Sequence, residues 1–280
     1  MLEKDFIKAV EETVGPERCA QEPETLELYG ADASRCQGNA ELVVFPDTTQ
    51  QISAIAALCN RHRVPLTVRG AGTGYTGGAV PSQGGIVVAM ERFSRILEID
   101  EVNLLAIVEP NVVTGELQQA VESKGLFYPP DPASLNRCAI GGNIAECAGG
   151  PRAFKYGTTK RYVLGLEAVL ATGEIIQTGG KTVKNVVGYD LTQTLVGSEG
   201  TLAIVTKAIL RLIPLPPCRE TIQATFRDIN DAVQAMIELV KARVIPSALE
   251  VIDLESLEAV AVYLDDRTLA PAGTAAMLLL

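Results

Sequence analysis

Apolar residues recur along this chain with two periods, and the alternation between them sets the expected elements. Phe6, Val10 and Val14 repeat every four positions and stop at Gly15-Pro16, which predicts an N-terminal helix. The run ELVVFP at 41–46 reads as a compact strand closed by Pro46. Thr48 followed by Gln51 is a candidate capping box. Ile52, Ile55, Ala56 and Cys59 then mark one face of a helix that ends in Asn60-Arg61-His62-Arg63, cations suited to a helix C-terminus. A strand at 65–68 follows and enters a Gly-rich loop. Strand, helix and strand with short connections predict parallel pairing of the two strands.

Beyond the loop, GIVVAM and LAIVEP read as strands separated by a charged segment around Glu98 to Asn103. Thr114 to Lys124 reads as a short helix with Leu117, Ala120 and Val121 on one face, stopped by Gly125. Residues 129–150 hold so many Pro and Gly that a long irregular stretch is expected, and such stretches are usually functional. YVLGLEAVLATGEIIQTG predicts a hairpin turning at ATGE, DLTQTLV a short helix, and GSEGTLAIVTKAILRLIP a turn and a long strand closing at Pro214. Pro214, Pro216 and Pro217 make a stiff boundary. ETIQATF and SALEVID then read as strands. The segment 231–242 is a helix with Val233, Met236, Ile237 and Val240 on one face, and 254–263 is another. AAMLLL ends the chain as an apolar strand without a polar cap and looks cut off. The expected division is a helix and connector at 1–36, one domain at 37–217, and an incomplete domain at 218–280.

Composition narrows the function classes. The chain has 280 residues and is 47% hydrophobic, enough for a sizeable core. Its six Cys form no CxxC and it has one His, so neither a zinc site nor a metal cluster is expected. Free buried thiols of a reducing compartment fit better. No signal peptide or membrane span is visible, so a cytoplasmic location is expected. A net charge of −10 argues against nucleic acid, whose phosphates need a basic face.

The loop PLTVRGAGTGYTGGAVP is the stretch on which the chemistry turns. Gly at 70, 72, 74, 77 and 78 leaves few side chains to hold a ligand off, and successive main-chain N–H groups can converge on an anion. Gly72, Gly74 and Gly77 form a literal GxGxxG, but a Rossmann site needs a helix opening directly after the loop. GGAVPSQGGIVVAM permits none. An ordinary turn and a phosphate cradle of another type remain. Gly-bearing segments at 69–78, 129–150, 156–157 and 197–205 suit one large cofactor with a diphosphate and a flat ring. In so acidic a chain the diphosphate must be held mainly by main-chain dipoles.

RGAGTGYTGG, PPDPAS, IGGNIAECAGG, KNVVGYDL and GSEGTLAIVT, in that order, resemble the FAD-binding domain of the vanillyl-alcohol oxidase and para-cresol methylhydroxylase superfamily. Within it they are most similar to the glycolate oxidase FAD subunit and D-lactate dehydrogenase family. The likeness is strong over 37–217 and weaker over 218–280. It implies an α+β fold: a FAD-binding domain of two α+β lobes with FAD between them, then the start of an α+β cap domain for substrate. It places Gly70, Ala71, Gly72, Thr73, Gly74, Gly77 and Gly78 around the pyrophosphate, with Arg69 beside them as a further cofactor-binding residue. Pro132, Ser134, Gly141, Gly142 and Asn143 fall toward the ribityl and isoalloxazine side, and Gly149, Gly200, Thr201 and Ile204 toward the diphosphate and adenine end. Flavinylated relatives carry a His where this chain has Thr73, so noncovalent FAD is expected, with Cys138 and Cys147 as the alternative attachment points.

The resemblance further implies oxidation of a small D-2-hydroxy acid such as glycolate or D-lactate, with hydride passing to flavin N5, and an electron-accepting iron–sulfur subunit as partner. A general base is wanted for that reaction. His62 sits at a helix end between two Arg and reads as a cap. No cluster of His and carboxylates matches the metal-binding segment of relatives, so the catalytic base and any metal ligands are expected outside these residues. Lys181 and Lys184 read as solvated, Tyr156 and Tyr189 as half-buried, Asp190 as a helix cap, and Glu250 as facing either a site or water. A flavin-carrying electron-transfer subunit without substrate chemistry, and a nicotinamide enzyme, are the competing readings.

Overall fold

The computed structural model describes residues 2–266, 268 and 271–280. The chain divides into two compact units: 1–128, 132–148 and 159–215 form the first, and 129–131, 149–158 and 216–280 the second.

The first unit opens with α1 (Lys4–Val14), whose Phe6, Val10 and Val14 are buried as their spacing predicts. β1 (Cys19–Ala20), α2 (Pro23–Tyr29), β2 (Leu42–Val44), α3 (Thr49–His62), β3 (Leu66–Arg69) and β4 (Ile86–Ala89) follow. The sheet order is β1-β2-β4-β3. β2 and β3 run in the same direction but are not neighbours, because β4 lies between them and pairs in parallel with both. The expected direct pairing of the strands flanking α3 is therefore corrected. β4 is apolar and buried along its whole length and takes the doubly flanked position, where both faces and both edges are covered.

Helix α3 begins with half of the expected capping box. Thr48 Oγ1 accepts the Gln51 N–H at 3.2 Å, but the Gln51 side chain accepts from Asp47 N–H, one residue before the box position. Its predicted face of Ile52, Ile55, Ala56 and Cys59 is buried. His62 closes the helix, exposed, with its ring edge-on to Phe6 at 5.5 Å between centroids.

β5 (Ile96–Asp100) and β6 (Leu105–Val108) come next, then α4 (Thr114–Glu122), β7 (Leu126–Phe127) and α5 (Ile140–Glu146). After the short α6 (Ala153–Tyr156), which belongs to the second unit, β8 (Val163–Leu170) and β9 (Ile175–Gly179) form the predicted hairpin. α7 (Leu191–Leu195) is capped by Asp190, which accepts the Gln193 N–H at 2.9 Å. β10 (Ala203–Arg211) and β11 (Ile213–Pro214) complete the unit. The second sheet is antiparallel, in the order β5-β6-β10-β8-β9. Its edge strand β5 occupies the segment that the charge pattern marks as a connector. α5 stands inside the stretch expected to be irregular.

β7 and β11 form a separate two-stranded antiparallel sheet, and one core joins the two larger sheets of this unit. Leu42, Val44, Ile86 and Val88 of the first sheet pack with α1, α3, and Val169 and Ile204 of the second. Of the six thiols, Cys59 and Cys138 are buried, while Cys36 and Cys218 are exposed, so the expectation of uniformly buried thiols is also corrected.

In the second unit, β12 (Gln223–Phe226), β13 (Glu250–Asp253) and β14 (Ala276–Leu279) form an antiparallel sheet in the order β12-β14-β13. α8 (Ile229–Lys241) and α9 (Leu254–Leu264) each follow a strand and begin at an aspartate cap, Asp228 and Asp253. Glu250 is exposed. No helix among the described residues is long and apolar enough to cross a membrane.

Candidate functional site

The first unit holds a cavity of about 480 Å³ between its two larger sheets, with Leu66, Thr67 and Val68 in one wall and Ala203, Ile204 and Val205 in the other. Three Gly-bearing segments are drawn to it by specific bonds.

The first segment follows β3. No helix opens after it: residues 70–85 contain neither helix nor strand, which removes the Rossmann reading. The Arg69 guanidinium turns away from the cavity, donates to the Ala31 carbonyl, and lies 5.3 Å from the centre of the Tyr29 ring. Burial lowers its pKa, against the pull of Tyr29, Asp32 and Glu91. Its side chain fills the place that a Cβ on Gly72 would take, and Gly72 has φ +64°. A side chain there is excluded twice over. Ala33 N–H donates to the Gly72 carbonyl at 3.1 Å, so the loop is fixed from the N-terminal connector as well.

The second segment is α5. Its glycine pair divides the work. Gly141 packs on Pro110, where a Cβ would stand 2.7 Å from that ring's Cβ, while beside Gly142 there is open space. Asn143 is buried and donates to Thr114 Oγ1 at 2.6 Å; Thr114 Oγ1 also meets Cys138 Sγ at 3.3 Å. At the far end of the helix Glu146 accepts from Thr76 Oγ1 at 2.7 Å, which ties α5 to the Gly-rich loop. The third segment, 197–204, is hung from α5 by two main-chain bonds, Gly197 N–H to Ile144 O and Glu199 N–H to Ala145 O, both 2.9 Å.

Most of the residues expected to bind a cofactor converge here. Gly70, Ala71, Gly72, Thr73, Gly74 and Gly78 line the cavity from the first segment, and Pro132, Ser134, Gly141, Gly142 and Asn143 from the second region. Gly200, Thr201 and Ile204 line it from the third. Arg69, Gly77 and Gly149 do not. Arg69 lines a smaller neighbouring cavity. Gly149 belongs to the second unit and packs near Thr158 and Ala153. KNVVGYDL contributes no wall residue, and Tyr189 is 96% exposed where a half-buried ring was expected. Lys181 pairs with Glu98 at 2.7 Å, as a solvated lysine would.

Cys138, one of the two alternative attachment points, lines the cavity too; Asp32, Glu146, Ser198 and Glu199 also line it and were not singled out as site residues from the sequence. The spacing of Asp32 and Ser34 signals a local turn, and nothing in the sequence says that the turn borders a cavity.

The wall suits a polyanion of a particular kind. It contains no Lys, Arg or His. Among the described residues, no main-chain N–H from Ala71 to Gly78 finds an acceptor within the chain. These residues are exposed or half-buried, so their unpaired amides are open to water or to a ligand. Here they form a run, and nothing crowds the places where Cβ atoms would stand on Gly77, Gly142 and Gly200. A diphosphate held by main-chain dipoles fits this donor set. No group of His, Cys, Asp and Glu among the described residues is arranged to hold a metal ion.

Residues 40–179 match the family model described as FAD binding domain, and 215–280 match that of the C-terminal domain of FAD linked oxidases. The glycolate oxidase subunit GlcD of Bacillus subtilis is 46% identical over 92% of this chain and 55% of its own length. A D-lactate dehydrogenase of Archaeoglobus fulgidus is 43% identical over 78% of this chain and 48% of its own. The D-2-hydroxyglutarate dehydrogenase of Stutzerimonas stutzeri is 37% identical over 76% of this chain and 46% of its own. The chain thus spans about half the length of the curated relatives it matches. Among solved structures, alkyldihydroxyacetonephosphate synthase superposes with a TM-score of 0.85 at 20% identity, covering 100% of this chain and 55% of that one. p-Cresol methylhydroxylase superposes with 0.80 at 18% identity, covering 98% and 59%. These two likenesses establish the fold.

Proposed function

The chain belongs to the family built on this FAD-binding domain, and from that premise we propose that it is the flavin-bearing part of an FAD-linked dehydrogenase of a small D-2-hydroxy acid. The single observation that carries the reading is the run of unpartnered amides from Ala71 to Gly78, in which residues 71–75 and 78 line a cavity without a cation. Glycolate and D-lactate are the substrates proposed first, and D-2-hydroxyglutarate is the third, because relatives at comparable identity are named for all three.

In this reading the residues divide by role. The amides of the Gly-rich loop hold the diphosphate. Gly142, Gly200 and Thr201 allow close approach along the rest of the cofactor, and Asn143 is positioned by Thr114. Bound FAD supplies the acceptor for the hydride on the carbon that bears the hydroxyl. The two apolar strands in the walls keep water from that surface. We propose that the cofactor is held without a covalent bond. Thr73 offers no nucleophile of the His type, and the thiol in the wall, Cys138, is buried and engaged by Thr114. Acid precipitation of the holoprotein then releases all of the flavin to the supernatant. The proposed partner is an electron-accepting iron–sulfur subunit.

A second reading is favoured by one specific observation: no cation lines the cavity to receive a substrate carboxylate. It makes the chain a flavin-carrying electron-transfer subunit. Anaerobic mixing of the FAD-loaded chain with glycolate, D-lactate and D-2-hydroxyglutarate separates the two. Bleaching of the flavin absorbance by one of these acids supports the dehydrogenase. A flavin that dithionite reduces and none of the acids does supports the second reading.

A further inference from the structure

Asp32 has one carboxylate oxygen that the chain does not use. Oδ1 accepts the Ser34 N–H at 2.9 Å and the Ser34 hydroxyl, closing a local turn. Oδ2 is buried and has no partner. The residue lines the cavity, beside the point where Ala33 N–H grips the Gly72 carbonyl. Arg69 interacts electrostatically with Asp32, but its guanidinium is engaged with the Ala31 carbonyl and the Tyr29 ring.

A buried carboxylate oxygen with no donor is among the more expensive features a fold can carry. A ligand that brings a donor removes the cost. The diphosphate cannot do so, since it has no proton to give and repels the carboxylate. The groups of FAD bonded next to the diphosphate are sugar-type chains, the ribityl on one side and the adenosine ribose on the other, and both carry hydroxyls. We propose that Asp32 is a cofactor-binding residue whose free oxygen accepts a hydrogen bond from such a hydroxyl of bound FAD. The proposal rests on the reading of the cavity as a FAD site. It gives that site a carboxylate acceptor, placed to select a neutral polyol segment beside a dianion.

The test uses the apo-chain and three proteins: wild type, Asp32→Asn and Ser34→Ala. FAD affinity is read from quenching of flavin fluorescence, and stability from thermal melting with and without FAD. Asn keeps an oxygen for the Ser34 turn and removes the charge. The expected result for Asp32→Asn is a dissociation constant for FAD raised tenfold or more, the range for a hydrogen bond to a charged group. Its apo melting temperature stays equal to wild type or rises, and the gain on adding FAD shrinks. Ser34→Ala disturbs the turn and binds FAD within about twofold of wild type. Titration with ADP, which has the ribose and no ribityl, identifies the hydroxyl. An unchanged ADP affinity assigns the contact to the ribityl chain, and a loss matching that for FAD assigns it to the ribose. Asp32→Asn binding FAD as wild type does overturns the proposal. So does a joint fall of apo stability and affinity, or the same affinity loss in Ser34→Ala, since each makes the residue structural. Failure of the wild type itself to bind FAD defeats the functional reading instead.

Discussion

Helices α1 and α8 carry the same kind of amphipathic repeat, and the two units treat it in opposite ways. In the first unit Phe6, Val10 and Val14 are buried against α3 and the first sheet. In the second, Ala232 is the buried residue of α8, while Val233, Ile237 and Val240 stand 46%, 42% and 44% exposed. Periodicity names the face a helix would bury. Whether that face finds cover depends on what else packs there, and a three-stranded sheet with two helices covers far less than two sheets sharing a core.

The largest effect that sharpens this contrast is Phe6→Ala against Ile237→Ala. Emptying the Phe6 site should cost about 3–5 kcal/mol in urea unfolding, whereas Ile237→Ala should stay below about 1 kcal/mol, since little surface leaves water there. Equal losses would break the comparison. Next come the two glycines of α5. Gly141→Ala drives a methyl against Pro110 and should cost about 1–3 kcal/mol. Gly142→Ala meets open space and should stabilise the apo-chain by about 0.5–1 kcal/mol through helix propensity, while weakening FAD binding because the methyl enters the cavity.

A smaller effect concerns pH. Burial by itself raises the pKa of Glu167, but hydrogen bonds from Thr206, Lys207 and Thr49 outweigh it and leave the carboxyl below its usual value. A group depressed in the folded state stabilises the fold above its unfolded pKa of about 4.3 and loses that contribution as pH falls through the folded value. Glu167→Gln should therefore be less stable than wild type at pH 7, where the charged carboxylate contributes, and should converge with it as pH falls, which flattens the acid side of its profile. A steeper acid limb in the variant would reverse the sign of the argument. The smallest contrast is chemical. Cys36 and Cys218 are exposed and should react rapidly with a thiol reagent, while Cys59, buried with its pKa pushed up to about 12, should react only on unfolding.

Helices α1, α3 and α4 and the β8–β9 hairpin were legible because their apolar positions face a core with the right period. β5 was not, since Glu98 and Asp100 give an edge strand the look of a connector. α5 was hidden by its own glycines: Gly141 is there for Pro110 and Gly142 for the cavity, and both lower helix propensity. The segments that make the site were visible as glycine-rich motifs. The position of β4 between β2 and β3 was not visible, because connection length says nothing about which later strand inserts. Asp32 was invisible for a similar reason, its neighbours in space being set by the Ala33 to Gly72 bond and not by any local pattern.

The central claim is that main-chain amides, without a cation in the wall, hold a diphosphate cofactor in the first unit. Calorimetric titration of the apo-chain with FAD at low and at high salt tests it most directly. The account predicts a single saturable site whose affinity changes little with ionic strength, because the donors are partly buried dipoles and not exposed charges. A titration that shows no saturable binding, or an affinity that collapses with added salt as it does for a cationic surface, would contradict it.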